Sequence, residues 1–290
     1  MTSGPSRHEP VLVEAVVEAL RPCLDGFLVD GTAGLGGHTQ ALLDAGATRV
    51  LAIDLDPDAV RSLVIRFQGD PRVLPVHASY ADLPELIGAE RPAGVLLDLG
   101  ISSRQLETAE RGFSFRLEGP LDMRFDSTAG TPAAHLVNRL PEGDLAALLR
   151  DYGEEHRARG VARRIVAARP LESTTELARV VARAFPGRRR IHPATRTFQA
   201  LRIATNEELE VLRQGLDSAH RALREGGRLA VIAFHSLEDR IVKQTFRAWA
   251  RDGEGEILTR RPVRPSRSES RRNPRARSAR LRVLAKANGD

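Results

Sequence analysis

The sequence predicts an α/β protein in which a doubly wound parallel sheet is interrupted by an inserted helical domain. Three observations indicate this fold class. Short apolar runs recur at nearly even spacing through the first hundred residues, helix-like segments separate them, and the same alternation returns after residue 205. Strand–helix–strand units at this spacing are typical of a parallel sheet with right-handed crossovers. A chain of 290 residues is long enough for such a sheet and a large insertion.

The strands are predicted from apolar runs that are continuous rather than alternating, a pattern typical of strands buried on both faces of a sheet. In chain order these runs cover 27–29, 50–53, 73–76, 94–97, 228–234 and 281–284. Helices are predicted beside them at 10–20, 38–43, 58–67, 207–223 and 236–249. Asp56 is expected to cap one helix before Pro57, Gly226 and Gly227 to end another, and Ser236 to cap the last.

The central stretch differs from the rest because it contains helical segments and no convincing buried strand. Its predicted helices lie at 144–149, 161–168 and 175–185. We therefore predict that residues 1–105 and 205–290 form one domain, and that residues 106–204 form an inserted helical domain. The insertion also carries Phe113, Phe115 and Phe125, for which core packing is the favoured interpretation.

Composition excludes several classes of protein. Hydrophobic residues make up 41% and charged residues 28%, close to the globular average, so a disordered chain, a collagen-like repeat or a coiled-coil rod is not expected. No apolar run approaches the roughly 20 residues of a membrane span, and no secretory signal is visible, so we expect a cytoplasmic protein. The single cysteine, Cys23, cannot form an internal disulfide or a thiolate metal site alone, and no metal is predicted.

The positive charge is concentrated in the second half of the chain. Residues 1–105 contain 8 basic and 14 acidic side chains, whereas residues 205–290 contain 19 and 12. Ten arginines and one acid, Glu269, lie between Arg260 and Arg282, interrupted by prolines, which predicts an extended basic arm. Arginine forks match phosphate oxygens, which indicates a polyanionic partner. A solvated tail is the alternative, because the whole chain has 42 arginines and only two lysines.

A glycine-rich turn follows the first predicted strand, from Asp30 to His38. Glycines at a strand-to-helix turn allow close approach of a ligand, and the helix beyond offers free N–H donors, so a nucleotide-like ligand is expected. The dinucleotide fingerprint would need a third glycine where Thr39 stands. The acid Asp30 instead suits an ammonium group, such as the methionine end of S-adenosylmethionine. A tight turn that binds nothing is the alternative.

Three further side chains follow the next strands. Asp54 ends the second strand, where acids accept hydrogen bonds from ribose hydroxyls. Tyr80 follows the third strand and either lies against adenine or packs at the rim. Asp98 ends the fourth strand. Because ligands of open α/β sheets bind beyond the carboxyl ends of the strands, we expect Asp30, Asp54, Tyr80 and Asp98 to converge on one crevice.

Seven segments of the sequence resemble the signature blocks of the RsmH/MraW family. They are DGTAGLGGH at 30–38, LDLGISS at 97–103, ERGFSF at 110–115, GPLDMR at 119–124, HPATRTFQ at 192–199, FHSLEDR at 234–240 and NPRARS at 273–278. The resemblance implies a Rossmann-like class I methyltransferase sheet and S-adenosylmethionine-dependent methylation of the exocyclic N4 amine of a cytosine in the decoding region of 16S ribosomal RNA. It also implies that the reaction takes place within the small ribosomal subunit.

The resemblance implies roles for particular residues. Cofactor contacts are assigned to Gly36, Gly37, His38, Asp54, Tyr80, Asp98 and Gln105. RNA contacts are expected from the arginine groups of the insertion and the arm, at Arg188, Arg189, Arg190, Arg196, Arg271, Arg272, Arg275 and Arg277. A cytosine amine inside an A-form stem is hidden in a deep groove, so the target base must be unstacked, and the insertion is the expected clamp.

The group that accepts the proton of the target amine is left open. Amino-methyltransferases often carry an acid or asparagine followed by Pro-Pro and an aromatic residue at the fourth strand, whereas this chain has Asp98-Leu99-Gly100-Ile101. Asp98 and His235 are the candidate catalytic residues, and Ser102 and Ser103 are also within expected reach. Each of them has a structural alternative as a helix cap or hydrogen-bonding group.

Two other classes of function remain as alternatives. A nicotinamide-dependent dehydrogenase would explain the glycine turn and Asp54 but would leave the arginines without a role. A non-catalytic assembly factor of the small subunit would explain the arginines but would leave the crevice without a role.

Overall fold

The computed structural model describes residues 10–185, 187 and 192–288. They form two compact units. One unit contains the residues up to Gly100 and those from Leu209 onward, and the other contains Ile101–Glu208. The predicted insertion, 106–204, lies within the second unit.

The first unit contains a seven-stranded sheet with the order β3-β2-β1-β4-β5-β7-β6. The strands are β1 Phe27–Asp30, β2 Arg49–Asp54, β3 Val73–His77, β4 Gly94–Asp98, β5 Arg228–Ala233, β6 Gly255–Ile257 and β7 Arg280–Lys286. The first five strands are parallel, and β7 runs antiparallel to both β5 and β6. The predicted α/β fold class with a doubly wound sheet is confirmed, and all six predicted strands are present.

The helices of the first unit pack on both faces of this sheet. They are α1 Val13–Leu20, α2 Gly37–Asp44, α3 Pro57–Arg66 and α4 Leu83–Ile87, and, after α5–α10 of the second unit, α11 Glu208–Ala222, α12 Ser236–Arg251 and α13 Arg267–Arg272. One face of β1 contributes Leu28 to a core with α1 and α2, and the other face contributes Val29 to a core with α11 and α12. This two-sided burial explains why the strand sequences are continuous apolar runs.

Two helix caps were predicted in this unit, and one of them was wrong. Asp56 caps α3, as expected, by accepting a hydrogen bond from the Asp58 amide. Ser236 is the first residue of α12 rather than its cap. The cap is His235, whose side chain accepts from the Glu238 amide while Glu238 reaches back to the His235 amide. This reciprocal arrangement is a capping box built on an imidazole instead of a hydroxyl.

The predicted extended arm between Arg260 and Arg282 is wrong as a description of the conformation. The segment contains α13 and a 3-10 helix, Pro274–Ser278, before it enters β7. Ala276 is fully buried in the first core, and an isolated bridge pairs Val263 with Leu281. The segment folds because small apolar residues among its arginines are buried in the core. The prolines and arginines of the segment do not by themselves indicate this burial.

The second unit is helical. Its helices are α5 Ser103–Glu107, α6 Ala133–Arg139, α7 Glu142–Gly153, α8 Ala158–Ala167, α9 Thr174–Ala182 and α10 Ala194–Thr205. Their apolar faces share one core that includes Phe113 and Phe198, and Phe113 stacks on Phe125 at a centroid distance of 5.6 Å. The described part of this unit contains no strand, only an isolated bridge between Pro120 and Ser173. Within the described residues, none of the helices of either unit is both long enough and apolar enough to cross a membrane.

Candidate active site

The carboxyl ends of β2, β1 and β4 bring three predicted acids to one edge of the sheet. The strand order reverses between β1 and β4, because β2 follows on one side of β1 and β4 lies on its other side. Such a switch point is where open α/β sheets form their ligand crevice. The Asp98 amide donates to the Thr32 hydroxyl at 2.6 Å, and the Ala33 amide donates to the Ile53 carbonyl at 2.8 Å. These bonds fix the glycine turn between the two neighbouring strand ends.

The glycine turn needs glycine at two positions with positive φ, Gly34 at 55° and Gly36 at 77°. A Cβ atom on Gly36 would lie 2.6 Å from the Phe67 ring and 2.9 Å from Leu63, both too close for any real contact. A Cβ atom on Gly34 would meet nothing closer than 4.0 Å. Gly36 is therefore required both by its backbone conformation and by the core, whereas Gly34 is required by conformation alone.

Asp54 clamps this turn from the end of β2. Its Oδ2 accepts the Gly34 amide at 2.7 Å, and its Oδ1 accepts the Asp56 amide at 2.8 Å. Burial raises the pKa of Asp54 to about 6, against the lowering effect of these two hydrogen bonds. Each carboxylate oxygen has two lone-pair sites, so both can accept one further hydrogen bond. The sequence predicted the position of Asp54 but not its role in holding the glycine turn.

Asp30 is completely buried at the end of β1. Its Oδ2 accepts the Thr39 hydroxyl at 2.7 Å, whereas its Oδ1 has no hydrogen-bond partner among the described residues. Burial raises the pKa of Asp30, although the nearby His38 and the Thr39 hydroxyl oppose this shift. Thr39 is the residue that broke the dinucleotide fingerprint, and its hydroxyl explains why a third glycine is absent from this turn.

His38 lies beside Asp98 in the same buried cluster. Its Nε2 is 3.3 Å from Asp98 Oδ2, close enough for an ion pair, although the two atoms are not aligned as a hydrogen bond. Burial lowers the pKa of His38, but the Asp98 and Asp30 carboxylates outweigh burial, so the pKa is above its ordinary value. His38 Nδ1 and Asp98 Oδ1 are both buried and have no hydrogen-bond partner among the described residues.

These atoms provide a test of whether the predicted cofactor fits. Asp30 Oδ1, Asp98 Oδ1 and His38 Nδ1 are buried polar atoms without partners, and leaving such atoms unpaired is costly. The methionine end of S-adenosylmethionine carries an ammonium donor and a carboxylate acceptor. Asp30 Oδ1 can accept from the ammonium and His38 Nδ1 can donate to the carboxylate, so the residues present fit this group.

Tyr80 lies next to this edge, directly after β3. Its Cβ is 3.1 Å from the place where a Cβ on Gly31 would be, so it borders the glycine turn. Its ring packs on α11, where a Cβ on Gly215 would lie 2.1 Å from Cε2 of the ring. Gly215 therefore makes the space that the Tyr80 ring occupies. The Tyr80 ring therefore lies beside the glycine turn and packs on α11. This position is compatible with stacking against adenine and with packing at the rim, the two interpretations that the sequence allowed.

His235, the second candidate acceptor, is held by α12. Its Nδ1 accepts the Glu238 amide at 3.4 Å, and its Nε2 lies 2.9 Å from Glu238 Oε1. Nε2 is buried and is not aligned with Glu238 Oε1 as a hydrogen bond, so Nδ1 is the nitrogen that forms the cap. The structural alternative, a helix cap, is therefore observed for His235.

The remaining predicted residues lie in other places. Gln105 is in the second unit, where its Oε1 accepts the Ser102 amide at 3.0 Å in a capping box at the start of α5. Arg196 is also in that unit and donates to the Glu154 carbonyl at 2.9 Å. Arg188, Arg189 and Arg190 lie outside the described residues. Arg271, Arg272, Arg275 and Arg277 are exposed in the first unit.

Thr32 and Thr39 are site residues that sequence reasoning missed. Each uses its hydroxyl to hold a strand end or an acid of the crevice. The sequence signal that could have identified them is a hydroxyl residue within the glycine turn and a second hydroxyl residue in the first turn of α2.

Comparison with known proteins identifies the family of this chain. The model of the MraW methylase family matches residues 5–287. A protein of Thermomicrobium roseum called ribosomal RNA small subunit methyltransferase H is 52% identical, over 95% of this chain and 92% of its own length. Proteins with the same name from Coprothermobacter proteolyticus, 49% identical over 97% of both chains, and Nitrosococcus oceani, 47% identical over 97% of both chains, are similarly close. The chain therefore belongs to the MraW methylase family, as its sequence blocks predicted.

Proposed function

We propose that this chain methylates the exocyclic N4 amine of a cytosine in the decoding region of 16S ribosomal RNA, with S-adenosylmethionine as methyl donor. Its relatives are called small-subunit ribosomal RNA methyltransferases, and its family is one of methylases. The observation that carries the proposal is the cluster of unpartnered buried atoms on Asp30, His38 and Asp98 beside the turn clamped by Asp54. We further propose that the small subunit, in the cytoplasm, is the substrate particle.

Different residues of the crevice are suited to different parts of the cofactor. Asp30 and His38 are suited to the ammonium and carboxylate of the methionine end, and Asp54 to the ribose hydroxyls. S-adenosylmethionine supplies an electrophilic sulfonium methyl, so the protein needs no nucleophile of its own. The task of the protein is alignment, because holding the reacting groups in line removes most of the entropic cost of the transfer.

Of the two candidate acceptors, Asp98 has the stronger support. Its side chain is 19% exposed and its Oδ1 has no partner among the described residues, whereas His235 Nδ1 is used in the cap of α12 and the buried Nε2 faces Glu238 Oε1 at 2.9 Å. Cytosine donates the lone pair of its amine into the ring, so an acceptor at that amine helps it to pyramidalise as the new bond forms. Asp98 is therefore proposed as the group that accepts this hydrogen bond.

The test is methyl transfer from labelled S-adenosylmethionine, with assembled small subunits and naked 16S RNA as parallel substrates. Nuclease digestion and mass analysis should place the label on the N4 atom of one cytidine. Greater labelling of subunits than of naked RNA would support the particle as substrate. Calorimetry provides the control for enzyme class, since heat from NAD and none from S-adenosylmethionine would contradict the proposal.

Cofactor affinity should depend on pH through Asp54. Ribose hydroxyls donate to the ionised carboxylate, so affinity should rise as pH rises through about 6 and level off above it. Below that value each pH unit should cost at most about tenfold in Kd. For folding the sign is opposite, because the raised pKa favours the protonated folded state, and that contribution is lost as pH rises through about 6.

Asp54→Asn provides the control for this pH dependence. It preserves the size of the side chain and leaves His38, Asp30 and Asp98 in place, so any titration of those groups remains. Calorimetric titration with S-adenosylhomocysteine at several pH values should show the step near pH 6 in the wild type and not in the variant. An equal step in both proteins would assign the titration to another group.

A further inference from the structure

Three arginines of the C-terminal segment line one open groove. The groove has a volume of about 350 Å³ and is formed by Arg267 and Arg271 of α13, Arg277 of the 3-10 helix, Pro265 and Ser270. All three arginines are exposed. None of their guanidinium groups is paired with a described residue, so three unpaired positive charges belong to residues that line one groove.

Four other arginines of the segment interact with other groups of the protein. Arg280 and Arg282 both bind Asp239 of α12, at 3.2 and 2.7 Å, and fix β7 to that helix. Arg272 and Arg275 have partners of their own. Arg280 and Arg282 thus stabilise the fold, whereas Arg267, Arg271 and Arg277 form a cluster that faces solvent.

The only acid of the run does not neutralise this groove. Glu269 lies between Arg267 and Arg271 in sequence, but its Oε1 accepts the backbone amide of Leu12 at 2.7 Å. Leu12 has a positive φ of 55°, a conformation that costs energy for a leucine and that this hydrogen bond helps to hold. The carboxylate therefore fastens the segment to the start of α1.

This attachment places the groove at the edge of the sheet that holds the crevice. Arg280, which follows the 3-10 helix directly, pairs with Ala233 at the carboxyl end of β5. On the other side, Pro10, two residues before Leu12, packs on the start of α2, since a Cβ on Gly37 would lie 2.9 Å from its Cγ. Arg280 thus ties the segment to the carboxyl end of β5, and Glu269 ties it, through Leu12 and Pro10, to the start of α2.

We propose that Arg267, Arg271 and Arg277 bind a backbone phosphate of the RNA strand that carries the target base. The inference rests on the proposed function, because it takes RNA as the substrate. Guanidinium forks match phosphate oxygens, and a cluster of three unpaired forks offers more donors than one phosphate needs. The groove lies on the unit that holds the cofactor, so a phosphate fixed there positions the strand relative to the methyl donor.

The test compares two triple variants that lose the same charge. The groove variant is Arg267→Gln with Arg271→Gln and Arg277→Gln, and the control is Arg260→Gln with Arg261→Gln and Arg264→Gln, which are exposed in the same segment but do not line the groove. Binding of a 16S decoding-region RNA hairpin is measured over a range of KCl concentrations. Thermal melting and binding of S-adenosylhomocysteine should be unchanged in both variants.

The groove variant should bind the hairpin more weakly and with a flatter salt dependence. Each phosphate contact that is lost lowers the slope of log K against log salt by about 0.7 for a single strand, so a reduction of about 0.7 is expected for the one phosphate and a much smaller one for the control. Equal changes in the two variants would overturn the inference, because they would indicate a diffuse charge effect.

Methylphosphonate substitution identifies the phosphate directly. When one linkage of the hairpin is neutralised at a time, binding to the wild-type protein should weaken most at one position. Neutralising that same linkage should not change the binding of the groove variant. Inorganic phosphate at millimolar concentration should not compete, which distinguishes a strand from a free anion. If wild-type protein methylates subunits but the groove variant retains the full phosphate profile, the groove inference fails alone. If neither RNA nor subunits are methylated, the proposed function fails.

Discussion

Gly36→Ala is expected to destabilise the first unit by about 2–5 kcal/mol and to abolish measurable cofactor binding. A left-handed backbone conformation costs alanine roughly 1–2 kcal/mol, and overpacking against Phe67 and Leu63 adds roughly 1–3 kcal/mol. The new Cβ would lie 2.6 Å from a ring whose residue is itself in the core, so the turn must move instead. Thermal melting and calorimetry with S-adenosylhomocysteine measure the two effects.

Gly34→Ala is the matched control. Gly34 also has a positive φ, 55°, but its Cβ would have open space around it. This variant should therefore lose only about 1–2 kcal/mol, the conformational cost alone. Equal destabilisation by the two substitutions would show that the contact with Phe67 has no energetic importance.

Asp54→Ala is expected to weaken cofactor binding by about 3 kcal/mol, which is more than a hundredfold in Kd. The substitution removes the acceptors proposed for the ribose hydroxyls and releases the amides of Gly34 and Asp56. Both losses act on the same ligand, because the glycine turn and the acid border the same crevice. Calorimetric Kd values for S-adenosylmethionine and S-adenosylhomocysteine provide the measurement.

Asp56→Ala separates affinity from local stability. Asp56 is a buried acid two residues away, and its side chain caps α3 by accepting from Asp58. Loss of that cap should cost about 1 kcal/mol of stability with little change in cofactor affinity. Unchanged affinity in Asp54→Ala would show that Asp54 does not contact the cofactor.

The sheet could be predicted well because its strands are buried on both faces. Residues Val50 to Ile53, for example, are all buried and must all be apolar. Such a run identifies a strand from the sequence without knowledge of the strands beside it. The short edge strand β6, Gly255–Ile257, was missed because it is only three residues long and not fully buried. Helices α6 and α10 were also missed, and each begins directly after a proline rather than after a polar side-chain cap.

The candidate site was predictable at its strand ends and less so elsewhere. Asp30, Asp54 and Asp98 follow apolar runs, and a parallel sheet brings such positions together. The conformation of the arginine segment was not predictable, because it depends on Glu269 binding Leu12 across 257 positions of the chain. The role of His235 depends on Glu238, which competes for the same imidazole that catalysis would use.

The position of β7 constrains when the protein can mature during its own synthesis. β7 follows β6 in the chain, yet it lies inside the sheet between β5 and β6. A nascent chain that has emerged only to α12 leaves one side of β5 without its antiparallel neighbour and the start of α1 without Glu269. β5 therefore gains its second neighbour, and the Leu12 amide its acceptor, only after all five parallel strands have been made.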